Sequence, residues 1–370
     1  MRIIQFIANL GSGGAETLVK DLSLEFKRQG QEVLVIVVDR LHQETSESTK
    51  ILELNRMGIT VKSLNRQPGS KSIKPFFELR NLIKDFKPDI VHLHSDIAGY
   101  YSVPFLLKKK MKFVQTIHST LINASLPNAL LKLSFIKKRI AKVYCSETAN
   151  QALCKILGNG PTVLNGILIR QTKNIRAQIT QEYAIPPDAT ILLNVGRIDF
   201  NKNQVILPNI VEKLNERIFS GSLYLLICGA SKDSVVLSHL TEEVSKMKHS
   251  GRVKLLGVRN DILDLMSSVD FYISTSSVEG LPMTGLEAMG TGVPLILSPI
   301  EEHLAVFEGE EAVYFPIKNQ VEEYYKLFSA ESLKPLYKNK IRDKRKEFIQ
   351  RYSIQNTALE YLRFFLKHEV

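Results

Sequence analysis

The segment 270-DFYISTSSVEGLPMTGLEAMGTGVPLILSP-299 contains the pattern from which the fold is predicted. Two apolar runs, 270–275 and 293–297, have the length and composition of buried strands. Between them, 279–282 has turn residues and 283–289 has a helical pattern. A strand, a turn, a helix and a second strand in this order predict one unit of a parallel sheet covered by helices.

The start of this helix is a predicted anion site. Pro282 suits the first position of a helix, because its missing N–H has no partner to lose there. The backbone N–H groups of Met283, Thr284 and Gly285 are therefore expected to be free, and the helix dipole favours a negative charge beside them. Gly285 would let a ligand approach the backbone closely. The expected ligand is a phosphate group.

Two carboxylates frame the predicted anion site. Glu279 follows the first strand, and Glu287 comes after seven intervening residues. A carboxylate accepts paired hydrogen bonds from vicinal hydroxyls, so the pair fits a ligand with a diphosphate in the middle and a sugar at each end. A solvated helix residue and a chance turn residue would give the same spacing, so the spacing alone leaves both interpretations open.

The pattern resembles the signature of the retaining nucleotide-sugar glycosyltransferases of family four. In that family the first Glu holds the donor sugar and the second holds the nucleotide ribose, which implies those roles for Glu279 and Glu287. The resemblance also implies the GT-B fold, an α/β architecture of two doubly wound Rossmann-like domains facing a central cleft. It further implies retention at the anomeric carbon, with a leaving phosphate oxygen taking the acceptor proton.

Composition and charge narrow the class of protein. With 370 residues, 44% of them hydrophobic and 24% charged, the chain is typical of a soluble globular protein with two domains. The formal net charge of +11 implies an acidic partner, which could be nucleic acid, anionic lipid or a phosphorylated substrate. Charge alone does not choose among these.

Cysteine usage and hydropathy predict a cytoplasmic protein. Cys145, Cys154 and Cys228 are too few and too scattered for a disulfide framework or a metal cluster. No stretch approaches the roughly 18 apolar residues of a membrane span, and the opening apolar run at 1–10 is interpreted as a buried strand.

The first half of the chain has a glycine-rich turn after its first predicted strand. A parallel strand–helix–strand unit is predicted from a strand at 2–8, a turn at 11–14, a helix at 15–29 and a strand at 32–38. The turn could belong to a dinucleotide fingerprint with Asp39 as the ribose-binding acid, but the third glycine is missing from its usual place. It is more similar to the GGAE opening of family four, which implies a donor-side role for Gly13 and Gly14.

Further strands are predicted at 59–64, 89–94, 112–117, 142–145 and 161–164, with a helix at 75–86. Three histidines lie in or just after these strands, but no acidic or cysteine ligand joins them at a metal-site spacing, so no metal is predicted. By resemblance, His118 contacts the transferred sugar through a hydroxyl group. His94 and Asp96 are then predicted to border the acceptor side, whereas His92 is predicted to lie in the core.

A basic amphipathic helix is predicted over 126–143. One face, formed by Leu130, Leu133, Ile136 and Ile140, is predicted to pack on the domain. Leu131 and Phe135 fall on the opposite face among Lys132, Lys138, Arg139 and Lys142. Together with the basic segment 105–112, this face is predicted to bind an anionic membrane surface. A solvated helix with scattered charge is the alternative.

The domain boundary is predicted near the polar segment 168–188, which precedes a new buried strand at 190–196. The predicted division is an acceptor-side domain at 1–170, a nucleotide-sugar domain at 171–352 and a final helix at 353–370 that crosses back to the first domain. Further strands of the second domain are predicted at 222–228 and 252–256.

Fixed cations are predicted to stabilise the leaving diphosphate. The chain has no Asp-x-Asp pair, so the metal route lacks its usual ligands. Arg197 and Lys202 match the family in spacing and suit diphosphate oxygens. The predicted catalytic residues are His118, Arg197, Lys202 and Glu279. The predicted donor-binding residues are Gly13, Gly14, Gly229, Val258, Gly280, Met283, Thr284, Gly285 and Glu287.

The predicted function is transfer of a sugar from a nucleoside diphosphate, UDP foremost, to a saccharide or lipid-linked saccharide in surface polysaccharide synthesis. No cofactor is expected, and the predicted location is the inner face of the plasma membrane. The nearest alternatives are a sugar-nucleotide epimerase or a glycogen-synthase-like polymerase of the same fold. A nicotinamide-dependent oxidoreductase would use the first glycine turn, and a nucleic-acid-binding module would use the positive charge.

Overall fold

A computed structural model describes residues 1–11, 13–41, 45–67, 72–106, 111–121, 133–219, 222–231, 233–329 and 345–367. The chain divides into two compact units. The first unit comprises Met1–Leu168 together with Tyr352–Val370, and the second unit comprises Ile169–Arg351.

The first unit is built on a parallel sheet of six strands. The strands are β1 (Arg2–Ile7), β2 (Glu32–Asp39), β3 (Thr60–Arg66), β4 (Ile90–Leu93), β5 (Lys112–Ile117) and β6 (Ile140–Tyr144). Their spatial order is β3-β2-β1-β4-β5-β6, and every neighbouring pair is parallel. Residues 33–39 of β2 are all buried, as expected for a strand covered by helices on both faces.

Helices cover both faces of this sheet. They are α1 (Gly14–Arg28), α2 (Thr45–Arg56), α3 (Lys74–Phe86), α4 (Asp96–Ser102), α5 (Ser134–Arg139), α6 (Glu147–Leu157) and, from the end of the chain, α15 (Ile354–Lys367), with a 3-10 turn at Val103–Phe105. Helix α15 packs beside α1, where Phe26 and Phe365 meet with ring centroids 6.0 Å apart. A parallel bridge between Ile167 and Ser353 leads the chain into α15.

The second unit repeats the plan. Its strands are β7 (Thr190–Val195), β8 (Leu223–Cys228), β9 (Val253–Gly257), β10 (Phe271–Ser274), β11 (Leu295–Leu297) and β12 (Val313–Tyr314). Its helices are α7 (Arg176–Glu182), α8 (Leu207–Arg217), α9 (Ser234–Lys246), α10 (Ile262–Ser268), α11 (Met283–Thr291), α12 (Glu301–Phe307), α13 (Val321–Ser329) and α14 (Lys346–Arg351), with 3-10 turns at Gln204–Ile206 and Ser250–Arg252.

Both sheets have the doubly wound topology predicted from the sequence. The second sheet runs β12-β11-β10-β7-β8-β9, which is the order of the first sheet when strands are counted within each unit. In such a sheet, the crevice where ligands bind lies between the first and fourth strands, at their carboxyl ends. In the second unit these strands are β7 and β10, which pair directly.

The structure differs from the predicted elements at three places. The segment 161–164 is not a strand, although Thr162 forms an isolated bridge with Tyr144. The short edge strand β12 was not predicted, because two residues carry no alternating pattern. The predicted helix over 126–143 ends at Arg139, and the chain continues as strand β6.

This last difference changes the predicted basic surface. Lys142 lies in β6, is 3% exposed, and donates from Nζ to Gln115 Oε1 at 2.6 Å, so it belongs to the interior. Leu133 was expected to pack inward but is 52% exposed. In the segment 105–112, Phe105 and Leu106 are buried. Residues 107–110 and 122–132 lie outside the described part of the chain.

Candidate active site

The strongest candidate site lies at the crevice of the second unit. Two loops define it: the cation loop, 197–203, follows β7, and the carboxylate loop, 275–279, follows β10. Because β7 and β10 are parallel neighbours, their carboxyl ends and the two loops lie at the same edge of the sheet. The sequence placed Arg197, Lys202 and Glu279 in these loops, and the structure brings the loops together.

An ion pair joins the two loops. Lys202 Nζ lies 2.5 Å from Glu279 Oε1, and the same oxygen accepts a hydrogen bond from Ser276 Oγ at 2.7 Å. The two side chains are only 22% and 10% exposed. The stem of Lys202 runs over Gly196, where an added Cβ would stand 3.6 Å from its Cε. The Lys202 ammonium is thus held against the edge of the sheet beside a carboxylate.

Further hydrogen bonds, all to backbone carbonyl groups of the cation loop, hold the two loops together. Thr275 Oγ1 donates to the carbonyl oxygens of Lys202 and Asn203, at 3.2 and 3.0 Å. The Ser277 N–H donates to the Asn201 carbonyl at 2.7 Å. The positions of the cation and the carboxylate are therefore set by hydrogen bonds in addition to their mutual attraction.

Arg197 begins the cation loop with an exposed side chain. Its carbonyl oxygen accepts from Gln204 Nε2 at 2.7 Å, which holds the backbone. Its guanidinium is 54% exposed and lies 3.4 Å from Asp199 Oδ2. A long contact between exposed groups contributes little free energy. The guanidinium can therefore reorient toward an anion at small cost.

The amino end of α11 supplies two of the three backbone donors predicted from the sequence. The Met283 N–H donates to the Leu281 carbonyl at 2.8 Å, so it is not free as predicted. Thr284 and Gly285 occupy the second and third helical positions, where the α-helix offers no backbone acceptor, and no side chain caps this end. Two amides and the helix dipole remain for an anion.

Glu287 lies on α11 and shares surroundings with Glu279. Tyr272, at the centre of β10, bonds through its hydroxyl to Thr284 Oγ1 at 2.7 Å. Burial raises the pKa of Tyr272, and the nearby charges of Glu279 and Glu287 raise it further. Both predicted carboxylates therefore lie near the same phenol group, and their contacts to the two sugars of a ligand stay predictions.

At two of the predicted donor-binding glycines, packing within the second unit leaves no room for a side chain. An added Cβ at Gly285 would come within 3.0 Å of the Phe307 ring, so this glycine makes room for a core side chain. An added Cβ at Gly229, whose φ is +150°, would stand 1.9 Å from the Gly196 carbonyl oxygen. Packing between α11 and Phe307, and between the ends of β8 and β7, accounts for both. Neither glycine requires a ligand to explain it.

The predicted base contact lies in a braced turn after β9. Val258 is 40% exposed and sits between Gly257, whose φ is +65°, and Arg259. The Arg259 guanidinium donates to both carboxylate oxygens of Asp261, at 2.8 and 2.7 Å, and to the Tyr183 hydroxyl at 3.0 Å. These bonds hold the turn that presents Val258. The base contact itself stays a prediction.

The sequence did not identify a set of polar residues that brace the carboxylate loop. Asn319 Nδ2 donates to the Thr275 carbonyl at 2.9 Å, and the Tyr324 hydroxyl donates to Asn319 Oδ1 at 2.8 Å. Ser298 Oγ donates to the Ser276 carbonyl at 2.6 Å. A polar residue directly after a buried strand was a usable signal for Ser298, whereas nothing in the local sequence marked Asn319.

A buried histidine supports this bracing. His303 is 1% exposed and donates from Nδ1 to the Ser298 carbonyl at 2.8 Å. Burial lowers the pKa of His303, so the ring is neutral at neutral pH. The carboxylate loop therefore rests on hydrogen-bonded groups from the residue after β11, from α12 and from the segment before α13.

In the first unit the predicted histidines form a connected group. His94 Nδ1 lies 3.1 Å from His118 Nε2, and His94 Nε2 lies 2.5 Å from Gln5 Oε1. His94 is 4% exposed and both its ring nitrogens are engaged. Its place at the border of the acceptor side stays a prediction. His92 is fully buried, as predicted, and bonds to Thr116.

The other predicted residues of the first unit lie near strand ends. Asp96 begins α4, where its Oδ1 lies 3.5 Å from Gln115 Nε2. Gly13 is the residue before α1, and an added Cβ there would collide with the Glu16 carboxylate; Gly14 is the first helical residue. Their substrate contacts, like those of His118 and Gly280, stay predictions.

Among the residues that the structure describes, no group of three or more His, Cys, Asp or Glu side chains could hold a metal ion. No helix in the same part of the chain is long and apolar enough to cross a membrane.

Comparison with known proteins places the chain among sugar-transferring enzymes. The family model described as Glycosyltransferase Family 4 matches residues 12–163, and the one described as Glycosyl transferases group 1 matches residues 175–351. A Campylobacter jejuni N-acetylgalactosamine-N,N'-diacetylbacillosaminyl-diphospho-undecaprenol 4-alpha-N-acetylgalactosaminyltransferase is 23% identical, over 96% of this chain and 98% of its own.

Two further relatives are informative. An Escherichia coli UDP-Gal:alpha-D-GlcNAc-diphosphoundecaprenol alpha-1,3-galactosyltransferase is 22% identical over 65% of this chain and 65% of its own. The crystal structure of Anabaena HepE in complex with UDP and glucose superposes with a TM-score of 0.83, covering 100% of both chains at 15% identity. At that identity the structural likeness establishes the fold alone, which is GT-B.

Proposed function

Because this chain belongs to the family-four glycosyltransferases, we propose that it transfers a sugar from a UDP-sugar to a lipid-linked saccharide, with retention of anomeric configuration. The observation that carries the proposal is the Lys202–Glu279 pair at the crevice of the second unit. It sets a cation for the leaving diphosphate next to a carboxylate for the sugar hydroxyls.

The donor diphosphate is assigned to Lys202, Arg197 and the amides of Thr284 and Gly285. A leaving diphosphate gains negative charge in the transition state, and fixed cations and amides stabilise it without rearranging. The ion pair with Glu279 keeps Lys202 in place before the donor arrives. The exposed Arg197 completes the contact from the other end of the cation loop.

The two carboxylates are assigned to the two sugars of the donor. Glu279 orients hydroxyls of the transferred sugar, and Glu287 binds the ribose of the nucleotide. The backbone of Val258 binds the base. Uridine is favoured because the E. coli relative is named for UDP-Gal and the HepE structure contains UDP.

The reaction breaks the bond between the anomeric carbon and the β-phosphate oxygen. The acceptor oxygen forms its bond on the same face of the sugar, and the leaving phosphate oxygen takes the acceptor proton. Lys202 and Arg197 balance the charge of the departing diphosphate. We propose that the reaction needs no metal, because these two cations supply the charge that a metal would otherwise supply.

The acceptor proposal rests on the relatives. Both the C. jejuni and the E. coli enzymes are named for acceptors linked to diphospho-undecaprenol. A lipid-linked acceptor places the enzyme at a membrane surface. Within the described chain, Lys137, Lys138 and Arg139 form the basic end of α5 and are our candidates for contact with anionic lipid. Sedimentation with anionic vesicles, compared with neutral ones, tests this contact.

The first test of the donor is a thermal-shift screen in EDTA with UDP, GDP, ADP, NAD and NADP. A ligand that binds only the folded state, at one hundred times its Kd, adds about 2.7 kcal/mol of stability. Stabilisation by UDP is expected. Stabilisation by NAD or NADP alone would indicate the dinucleotide interpretation of the first glycine turn instead.

The second test measures the reaction. Purified protein is incubated in EDTA with a panel of UDP-sugars and a prenyl-diphosphate-linked saccharide, and NMR of the product reports the anomeric configuration. A new glycosidic bond with the configuration of the donor is expected. Conversion of the donor sugar without any acceptor would point to an epimerase, and a requirement for divalent metal would contradict the assigned role of Lys202 and Arg197.

A further inference from the structure

The outward side of α3 carries two large apolar side chains. Ile73 is 64% exposed and Phe77 is 56% exposed. Ile73 precedes the helix but has right-handed helical backbone angles, so it lies one turn before Phe77 on the same side. The opposite side of α3 is buried through Pro75, Leu79 and Ile83. Exposed apolar residues are common when they stand alone, whereas two neighbours on one side of a helix form a patch.

Cations surround this apolar pair. At 3.6 residues per turn, six exposed residues lie within about 60° of Phe77 around the helix axis or are Phe77 itself. We call them the α3 face, and they are Ile73, Lys74, Phe77, Arg80, Asn81 and Lys84. The acids of the helix, Glu78 and Asp85, lie to one side of this face. The α3 face therefore combines two apolar side chains, three cations and no acid.

The spacing of two of these cations favours an anionic partner. Arg80 and Lys84 are one turn apart, and no acid lies three or four residues from either of them along the chain. Like charges at this spacing destabilise a helix slightly, and an anion bound between them offsets that repulsion. Elsewhere in the chain an exposed helix pairs its cation internally, as Lys246 does with Glu242 and Glu243 on α9.

The α3 face and the basic end of α5 look away from the same side of the first sheet. Leu79 and Ile83 of α3 share one buried cluster with Ile136 of α5 and with Ile4 and Phe6 of β1. Helices that pack on one side of a sheet expose their other sides in the same general direction. Lys137, Lys138 and Arg139 at the end of α5 therefore face the same way as the α3 face.

We propose that the α3 face is a docking surface for anionic lipid, in which Phe77 and Ile73 insert between headgroups and the three cations contact lipid phosphates. Apolar side chains within a basic face are typical of helices that lie in a membrane interface. A nucleic acid would contact the cations but leave both apolar side chains in water. Only the use of this docking, to reach a lipid-linked acceptor, rests on the proposed function.

The first test uses tryptophan as a reporter of insertion. The chain has no tryptophan, so Phe77→Trp introduces a single one. With vesicles of phosphatidylcholine and phosphatidylglycerol, its emission should shift to shorter wavelength and be quenched by lipids brominated in their acyl chains. Leu52→Trp is the matched control, because Leu52 is 55% exposed on α2, which packs through Leu54 in the cluster on the other side of the sheet. Its emission should stay unchanged.

The second test measures affinity by sedimentation with the same vesicles and with phosphatidylcholine alone. One basic residue beside an anionic membrane changes affinity about fivefold, so the charge reversal in Arg80→Glu should weaken binding roughly tenfold or more at low salt. Arg56→Glu, on α2, is the control and should weaken it much less. Phe77→Ser should weaken binding roughly tenfold at low and at high salt, since salt does not screen an apolar contact.

Each result decides one point. Docking on the α3 face is overturned if Phe77→Trp keeps its emission with anionic vesicles, or if Arg80→Glu and Arg56→Glu lose equal affinity. An emission shift that grows with protein concentration in the absence of vesicles would assign the face to a second copy of the chain instead of lipid. Transfer to a water-soluble acceptor with a short prenyl chain should be the same in Phe77→Ser as in the wild type. A wild-type protein that docks but transfers no sugar would contradict the proposed function and leave the docking surface standing.

Discussion

Removing Lys202 from the Lys202–Glu279 pair should weaken UDP binding, whereas removing the charge of Glu279 should not weaken it. In the ligand-free protein the Lys202 ammonium is committed to Glu279. A bound diphosphate must share that ammonium, so Glu279 competes with the ligand for it. Lys202→Ala removes a contact to the diphosphate, whereas Glu279→Gln removes the competitor and keeps the size of the side chain.

The geometry sets the size of these effects. A hydrogen bond to a charged group contributes about 1.5–3 kcal/mol, so Lys202→Ala should weaken UDP binding by roughly 10- to 100-fold. The carboxylate lies 2.5 Å from Nζ and is 10% exposed, so its charge is poorly screened. We expect Glu279→Gln to leave UDP affinity unchanged or to tighten it by up to about tenfold, which is about 1.4 kcal/mol. Sugar transfer should fall in both variants.

Isothermal titration calorimetry with UDP in EDTA measures these affinities. Lys246→Ala is a matched control in the same unit, because it removes a lysine whose partners, Glu242 and Glu243, lie on its own helix. This control should bind UDP as the wild type does. The reasoning is refuted if Lys202→Ala binds UDP as tightly as the control, or if Glu279→Gln loses as much affinity as Lys202→Ala.

Three further predictions concern stability and loop order. The added Cβ in Gly229→Ala would meet the Gly196 carbonyl, so this variant should lose about 2 kcal/mol or more of its free energy of unfolding, measured in urea. The control is Gly309→Ala, where φ is +84° and the surrounding space is open, and it should lose less. Equal losses in the two variants would contradict the packing argument. Asn319→Ala removes a hydrogen bond to the carboxylate loop, so kcat/KM for sugar transfer should fall about tenfold while UDP affinity changes little. An unchanged kcat/KM would contradict the bracing role of Asn319. Burial lowers the pKa of His118 to about 4, so as pH falls the unfolded state takes up a proton on this ring before the folded state does. The free energy of unfolding should therefore fall by about 3 kcal/mol on account of this ring as pH drops from about 6.5 toward 4. Urea unfolding followed by circular dichroism should show a smaller loss of stability over this pH range in His118→Gln.

Patterns along the chain predicted the architecture because they are local. Apolar runs separated by glycine turns and helical segments indicate a doubly wound sheet, and both units have that topology. Parallel strands place their carboxyl ends at one edge, so the spacing of Arg197, Lys202 and Glu279 relative to strand ends was enough to group them. The direct contact between Lys202 and Glu279 could not be predicted, since it depends on how two loops fold toward each other.

The remaining differences arise from partners that are distant in the sequence. Gly285 packs against Phe307, a contact that no local pattern reveals. Lys142 was placed on a basic surface, yet it is buried against Gln115 because its segment is a strand and not a helix. The hydrogen bonds of His94 to Gln5 and His118 also join residues that are distant in the sequence, and no local pattern reveals them.

The position of α15 has a consequence for how the protein is made. This helix supplies Ile354, Ala358, Tyr361 and Phe365 to the core of the first unit, although it is encoded after the whole second unit. During synthesis, the ribosome therefore completes the second unit before the helix that completes the core of the first unit has been made. We expect the domain translated first to finish folding last, with its apolar face exposed to chaperones until the final helix emerges.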